Sequence, residues 1–466
     1  MHSSNQKLQV TDLPNSLIVA LVFSFACLWA IWIQPHTIVL RHILLTIGTG
    51  LGVYVIHKNY KLFKTWSALP IYLVGLLLVW VTFHLFFLSH QYALQLEEYQ
   101  TIWKRIAWGA PFAIGLGIAM RQVAGLGLTA SKQTSLNQSR VAGAYFWWIF
   151  YAGMVSPTAI YLLRAGLMLL GAKWGWHLPE AFINSYPPST WYIPKTGYVF
   201  FCLPALALAC AKLIRIFNER AKYSGLHTFL YVITIISVVS VFYLENIKNG
   251  IAYSTLLMLT MLVIMFFNRK SQLNSRNIAV AVVILIATTF LLFEHLQKND
   301  SWKTIFADIK VAEQLDQIDS WKYYGARGYP TNELGTSVSG TNYFRAAWAQ
   351  GALQFIQQMP QGYGLIHESF GHLAREKWPD SRLLQSHSGW LDLTLGIGIP
   401  GVLLILLAGG LSIIQAHTAD RGLWSRTGIW VLLSIALLML TTEVSQKTYV
   451  DALIFWILWL GALGLR

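Results

Sequence analysis

The sequence predicts an all-α polytopic membrane protein, with about twelve transmembrane helices and one long helical loop on one side of the membrane. Three observations carry that class. Only 12% of the 466 residues are charged and 55% are hydrophobic, against about 25% charged in soluble domains, so lipid is the main solvent. Mean hydropathy is +0.50. Apolar runs of spanning length recur along the chain, and a long hydrophilic stretch from about Glu294 to Gln385 interrupts them once.

Taken in order, the first sixteen residues are polar and no small-residue cleavage site follows the first apolar run. A retained first span is therefore expected rather than a removable signal peptide. Apolar runs at 17–33, 38–56, 69–88, 104–120, 142–163, 198–216, 227–244, 251–267 and 277–294 give the first nine spans, within residues 1–294. Residues 295–388 form the loop. Runs at 396–415, 427–442 and 449–465 complete the bundle within 389–466.

Basic residues set the orientation, because loops on the cytoplasmic side hold the excess of Lys and Arg. Alternate loops hold Lys58, Lys61 and Lys64, then Arg121, Lys132 and Arg140, then Lys212, Arg215, Arg220 and Lys222, then Arg269, Lys270 and Arg276, and finally Arg421 and Arg426. The intervening loops are poorer, with Arg41, Lys104, Arg105, Lys248 and Lys447. Both termini are then expected in the cytoplasm and the long loop outside. The net charge of +14 belongs to this topology and to an anionic substrate. No nucleic-acid-binding motif accompanies it, so no nucleic-acid partner is expected. Cys27, Cys202 and Cys210 all fall in apolar runs and read as small hydrophobes, without a disulfide framework.

A loop of this length exceeds what a connection needs and is expected to carry function. Its first half, Trp302 to Trp321, spaces apolar residues as a helical stripe, with Asp308, Asp316 and Asp319 outside it, and predicts one helix packed on the protein or lying at the interface. A second helix is predicted from about Asn342 to Met359, ended by Pro360, with Gly362 and Gly364 permitting a tight return. A second outer segment, Arg164 to Lys195, is expected to pack beside the first.

The residues able to carry chemistry gather in and around this loop. His387 precedes an apolar run, which places it near a helix N-terminus, where the dipole disfavours imidazolium and leaves a neutral base. The alternative is an interfacial histidine bonded to a loop carbonyl, and its neighbourhood with Arg345 favours the base. Arg345 opens the second loop helix, Lys248 sits in an outer turn, and Arg164 lies at the outer end of a span. Cations at the membrane edge are costly unless paired, so each is a candidate for a diphosphate; snorkelling, or pairing with Glu245 or Glu443, is the alternative. Arg375 and Arg382 are candidates for a sugar or phosphate, against a solvated loop face. His367 and His372 are five apart, roughly 140° around a helix, and do not make a zincin pair. No metal and no cofactor are expected.

Two motifs in this region resemble those of the bacterial O-antigen ligase family, whose superfamily includes O-antigen polymerases and protein O-oligosaccharyltransferases. Arg345-Ala-Ala-Trp348 through Pro360-Gln-Gly362-Tyr-Gly364 is similar to the family's Arg-x-x-Trp helix followed by Pro and Gly-x-Gly. His387-Ser-Gly-Trp390-Leu391-Asp392, with Gly398-Ile-Pro-Gly401 beyond it, is similar to a His-Asn-x-aromatic-Leu-Glu pattern. The family's outer Ser-Arg-x-Gly turn has its counterpart in Lys248-Asn249-Gly250, where lysine cannot make the bidentate contact of arginine.

The resemblance implies a GT-C-type glycosyltransferase architecture in the bacterial inner membrane, with the active site on the periplasmic side. It implies His387 as base or acceptor-placing group, Arg345 as a ligand of an undecaprenyl-diphosphate-linked glycan, and lipid A–core as acceptor, with Trp390 beside the acceptor or its sugars. The expected reaction is metal-independent, inverting ligation in lipopolysaccharide biosynthesis. The chain ends at Arg466 directly after its last span, which favours a ligase over a protein-glycosylating relative. A lipid-linked-glycan transporter should instead carry inverted repeats and ionisable groups at mid-membrane.

Overall fold

The computed structural model describes residues 11–129, 136–218, 225–267, 275–420 and 422–466. Among the described residues every named element is a helix: α1 (Asn15–Ile31), α2 (Ile38–Lys58), α3 (Leu69–Phe87), α4 (Tyr92–Glu98), α5 (Lys104–Thr129), α6 (Leu136–Trp174), α7 (Lys195–Asn218) and α8 (Gly225–Leu244). There follow α9 (Lys248–Phe267), α10 (Ser275–Lys298), α11 (Ile305–Ala312), α12 (Gly340–Gln358), α13 (Ser369–Lys377), α14 (Gly389–Ala419), α15 (Leu423–Leu438) and α16 (Lys447–Leu463).

Each predicted apolar run falls on a helix, although the run at 427–442 continues four residues past the end of α15. Among the described residues nine helical stretches are long and apolar enough to cross a membrane, and α1 and α15 are apolar but shorter. Two helices sit at the centre. α16 is buried at every residue from Thr448 to Leu463, and α7 is buried along almost its whole length. α5, α14 and α15 pack on α16, while α6, α8, α9 and α15 pack on α7. The peripheral helices are apolar on both faces: α2 exposes Val39, Ile43, Ile47 and Val53, and α3 exposes Val79, Phe86 and Phe87. An apolar outer face on an apolar helix is the pattern of a segment solvated by lipid.

Some basic residues that orient the chain fall outside this description. Lys132, Arg220, Lys222, Arg269, Lys270 and Arg421 lie outside the described residues, as do the side chains of Arg140 and Arg276.

The 299–388 segment has an apolar core of its own, built on Trp321, Tyr343, Trp348, Phe355, Tyr363 and Phe370. Here the structure corrects the predicted Trp302–Trp321 helix. Only α11 is α-helical through this stretch, with short 3-10 turns at Asp300–Trp302 and Ser320–Tyr323, and Leu315 and Trp321 enter the same core. A continuous helix could not deliver both. Asp308, expected on the outer face, is fully buried. Its carboxylate accepts from Thr304 Oγ1, Asn332 Nδ2, Ser339 N and Asn342 Nδ2 at 2.7–3.2 Å, which compensates the cost of desolvating the charge.

α6 also differs. It continues ten residues beyond Arg164, to Trp174, so Arg164 lies within a helix and not at the end of one.

The cap formed by this segment is keyed to the bundle at a break in α14. Gly398 has φ 72° and ψ 174°, which opens the helix for one turn. The Pro360–Gly364 segment lies against that turn. Tyr363 N donates to Leu395 O at 2.7 Å, Gly364 N to Gly396 O at 2.8 Å, and Ile399 N to Pro360 O at 2.8 Å. Trp80 Nε1 donates to the freed Ile397 O at 2.7 Å, and His84 Nε2 meets Gly362 O at 3.1 Å. Irregular backbone near lipid persists only where protein satisfies its polar groups, and here it does. Glycine is required at the contact: a Cβ on Gly398 would run into the Gln361 carbonyl, and one on Gly362 into the Gly398 amide.

Candidate functional site

His387 is brought beside Glu443 by one buried carboxylate. Asp392, in the first turn of α14, accepts from Ser386 N at 2.9 Å and Ser386 Oγ at 2.7 Å on one oxygen. Its other oxygen accepts from Val444 N at 2.9 Å. The two backbones flanking His387 and Glu443 are thus stapled to the same side chain. His387 itself adopts φ 59°, which turns its ring toward the α15–α16 connection, and His387 Nδ1 lies 2.7 Å from Glu443 Oε2. Burial pushes the Glu443 carboxyl up, but the His387 hydrogen bond and charge, with Arg345 behind them, hold it below the ordinary glutamate value. An ionised Glu443 only accepts, so Nδ1 carries the proton and donates. In the neutral imidazole this arrangement leaves the lone pair on Nε2, the form a general base uses.

α12 supplies the second component. Asp308 anchors its first turn through Ser339 N and Asn342 Nδ2. Arg345 and Trp348 are three residues apart and share one side of the helix. The Trp348 ring stacks on the His387 imidazole, centroids 4.9 Å apart and 15° from parallel. Trp348 Nε1 is fixed to Trp321 O at 3.0 Å. No hydrogen bond or ion pair ties the Arg345 guanidinium to another described residue. Burial lowers its pKa from the ordinary value, with the Glu443 carboxylate opposing, and a guanidinium stays charged at any physiological pH.

Lys248, the first residue of α9, is near enough to Arg345 for the two charges to repel. Its Nζ donates to Ser301 Oγ at 2.7 Å, and Asn342 Nδ2 donates to the carbonyl of the same serine. The end of α9 is held to the Glu443 segment by Asn249 Nδ2 donating to Thr442 Oγ1 at 2.8 Å, and by Tyr253 OH with Thr441 Oγ1 at 3.1 Å. His387, Glu443, Arg345 and Lys248 therefore form one group, contributed by the start of α14, the α15–α16 connection, α12 and α9. Two cations lie near one another, Lys248 bonded to the Ser301 hydroxyl and Arg345 within reach of the Glu443 charge, an arrangement that suits an anion.

The remaining predicted residues stand apart from this group. Arg164 lies against Tyr198, in a neighbouring polar cluster where Tyr161 OH donates to Glu245 Oε1 at 2.7 Å and Lys195 Nζ to Glu245 O at 2.6 Å. Arg375 Nη1 is committed to Leu383 O at 3.1 Å. Arg382 is exposed, and its backbone N–H meets Lys322 O at 3.3 Å. Trp390 Nε1 donates to Ala436 O at 2.9 Å, joining α14 to α15, a packing role. His367 and His372 sit elsewhere in the cap. The backbone N–H groups of Ile366 and His367 donate to Glu98, and the His372 ring stacks near Tyr363 with centroids 6.1 Å apart. Among the described residues no group of three His, Cys, Asp or Glu side chains has metal-binding geometry.

Sequence reasoning missed Glu443 as the partner of His387. The available signal was an acid in a short connection on the loop's side of the bundle, Thr441-Thr442-Glu443. It placed Asp392 only as the last residue of the His387 motif, and no spacing reveals its stapling role.

Comparison with protein-family models and with curated proteins gives no match for this chain.

Proposed function

We propose that the chain is a glycosyltransferase of the O-antigen ligase type, which moves a glycan from undecaprenyl diphosphate to a sugar hydroxyl of lipid A–core. The observation that carries the reading is the His387–Glu443 pair at 2.7 Å standing beside the cations Arg345 and Lys248. In the reaction His387 Nε2 takes the proton of the acceptor hydroxyl as its oxygen attacks the anomeric carbon. Glu443 holds the ring and balances the imidazolium that forms. Arg345 grips the departing diphosphate through its planar fork and Lys248 as a point charge, a preorganised stabilisation of the leaving group. Direct displacement inverts the anomeric centre, and no cofactor takes part.

The same reading gives the bundle twelve spans and a GT-C-type arrangement in the inner membrane, both termini cytoplasmic and the His387 group periplasmic. The nine long apolar helices, with α1, α15 and α16 beside them, support it.

The test is ligation by purified protein in the presence of chelator, with lipid A–core, a second lipid-linked glycan and a pilin offered separately as acceptors. Lipid A–core is the acceptor expected to be used. His387→Ala is expected to lower turnover by about 10³, and Arg345→Lys by about 10–100-fold. Dependence on added divalent metal, or undiminished activity of His387→Ala, would reject the mechanism.

A further inference from the structure

We infer that Tyr324 and Tyr329 form a saccharide-binding ledge, a subsite for sugar rings next to the His387 group; the inference rests on the glycosyl-transfer reading. Both phenol rings lie on Phe344. Tyr324 stacks on it at 5.3 Å and 30°, and Tyr329 meets it at 5.6 Å and 48°. Phe344 is buried and nearly parallel to Trp348, 5.0 Å and 7°, and Trp348 in turn stacks on His387. Tyr324 also touches Trp348 directly at 5.1 Å. Two ring-to-ring steps, 5.1 and 4.9 Å, therefore connect an outward-facing tyrosine with the imidazole.

Neither tyrosine behaves as a core residue. Tyr324 is 54% exposed and Tyr329 49%. Their posture is nevertheless built in. Tyr324 adopts φ 54°, a conformation that is costly for a bulky side chain and occurs where surrounding structure imposes it. Tyr329 passes close over two glycines. A Cβ on Gly325 would meet the Tyr329 ring at 2.8 Å, and one on Gly340 would meet it at 3.2 Å. Backbone strain and two cleared positions thus hold a pair of phenols half in water. An aromatic face with an adjacent hydroxyl matches a pyranose, which offers C–H groups on its face and hydroxyls around its rim. The two cations, Arg345 and Lys248, suit the diphosphate, and the ledge suits the neutral sugars near it. These sugars belong either to the donor glycan or to the acceptor oligosaccharide, and the chemistry of recognition is the same for both.

Binding is measured on full-length protein in detergent, in a His387→Ala background so that no turnover intervenes. Three probes are titrated separately: undecaprenyl diphosphate without sugar, the oligosaccharide released from the donor lipid, and delipidated core oligosaccharide. The double substitution Tyr324→Ala/Tyr329→Ala is expected to weaken at least one oligosaccharide about tenfold, as truncation of a contact tyrosine does, and to leave undecaprenyl diphosphate unchanged. Tyr324→Phe/Tyr329→Phe is expected to keep most of the affinity. The oligosaccharide that responds identifies the source. Should the double Ala protein fail to fold, Tyr324→Ala alone carries the test.

Oligosaccharide affinity equal to that of the parent protein in a folded Ala variant, or no saturable oligosaccharide binding by the parent, overturns the ledge. Saccharide binding that depends on the tyrosines in a protein without ligation activity would instead remove the ligase reading and leave the ledge standing.

Discussion

At His387 a left-handed backbone, φ 59°, costs a non-glycine residue about 1–2 kcal/mol. The Glu443 bond and the Trp348 stack favour the ring's position there. Because burial and His387 together leave the Glu443 carboxyl below its ordinary 4.5, the pair adds stability that is fully present above that value. It is lost as pH falls through the lower folded pKa. The difference in thermal midpoint between the protein and Glu443→Gln is therefore expected to stay constant above pH 4.5 and to close in stronger acid; a difference that opens in acid would contradict the pair. Asp392→Asn would point an amide at Val444 N–H, leaving a buried donor unpaired at about 1–3 kcal/mol. The resulting shift of His387 against Glu443 is expected to reduce ligation about 100-fold, read as turnover beside a near-normal affinity for undecaprenyl diphosphate. His387, Arg345 and Lys248 were legible in sequence because cations and imidazole are rare among apolar spans. Glu443 was not, since its partner lies 56 residues away and only the packing of α14 on α15 and α16 joins them.

Among the elements, α12 and α14 decide the site, and both depend on glycine. Gly398→Ala is expected to destabilise by about 3 kcal/mol or more, from overpacking against the Gln361 carbonyl and from the left-handed backbone. Gly50→Ala in α2, where an added Cβ meets nothing within 4 Å, should be neutral or slightly stabilising. Thermal midpoints in detergent check both, and equal effects would refute the close contact at Gly398. The helix bounds show what periodicity can read. The predicted Asn342–Met359 helix is α12 to within two residues, because Pro360 marks its end in the sequence itself. The Trp302–Trp321 stripe was misleading, because its apolar spacing is shared between α11 and a return that buries Trp321. Asp308 looked solvated because sequence does not show the four donors that converge on it. Arg164 looked terminal because a charge reads as the end of a span, although residues 165–172 stay apolar and α6 runs on to Trp174.

For the molecule as a whole, the orientation is testable with single cysteines in a background lacking Cys27, Cys202 and Cys210. Asp316→Cys and Lys61→Cys replace exposed side chains on opposite sides in the proposed topology. A membrane-impermeant maleimide applied to intact spheroplasts should label the first and spare the second; the reverse pattern would put the His387 group in the cytoplasm. That the chain is a membrane protein was plain from composition, since 55% hydrophobic residues leave no polar surface large enough for water. The break at Gly398 has a practical outcome at this scale. Its carbonyls are answered by Trp80 and by the Pro360–Gly364 segment, so headgroups are not needed to satisfy them. Extraction into micelles should accordingly leave the geometry of the His387 group intact, and on the proposed function ligation should survive exchange between detergents of different headgroup without added phospholipid.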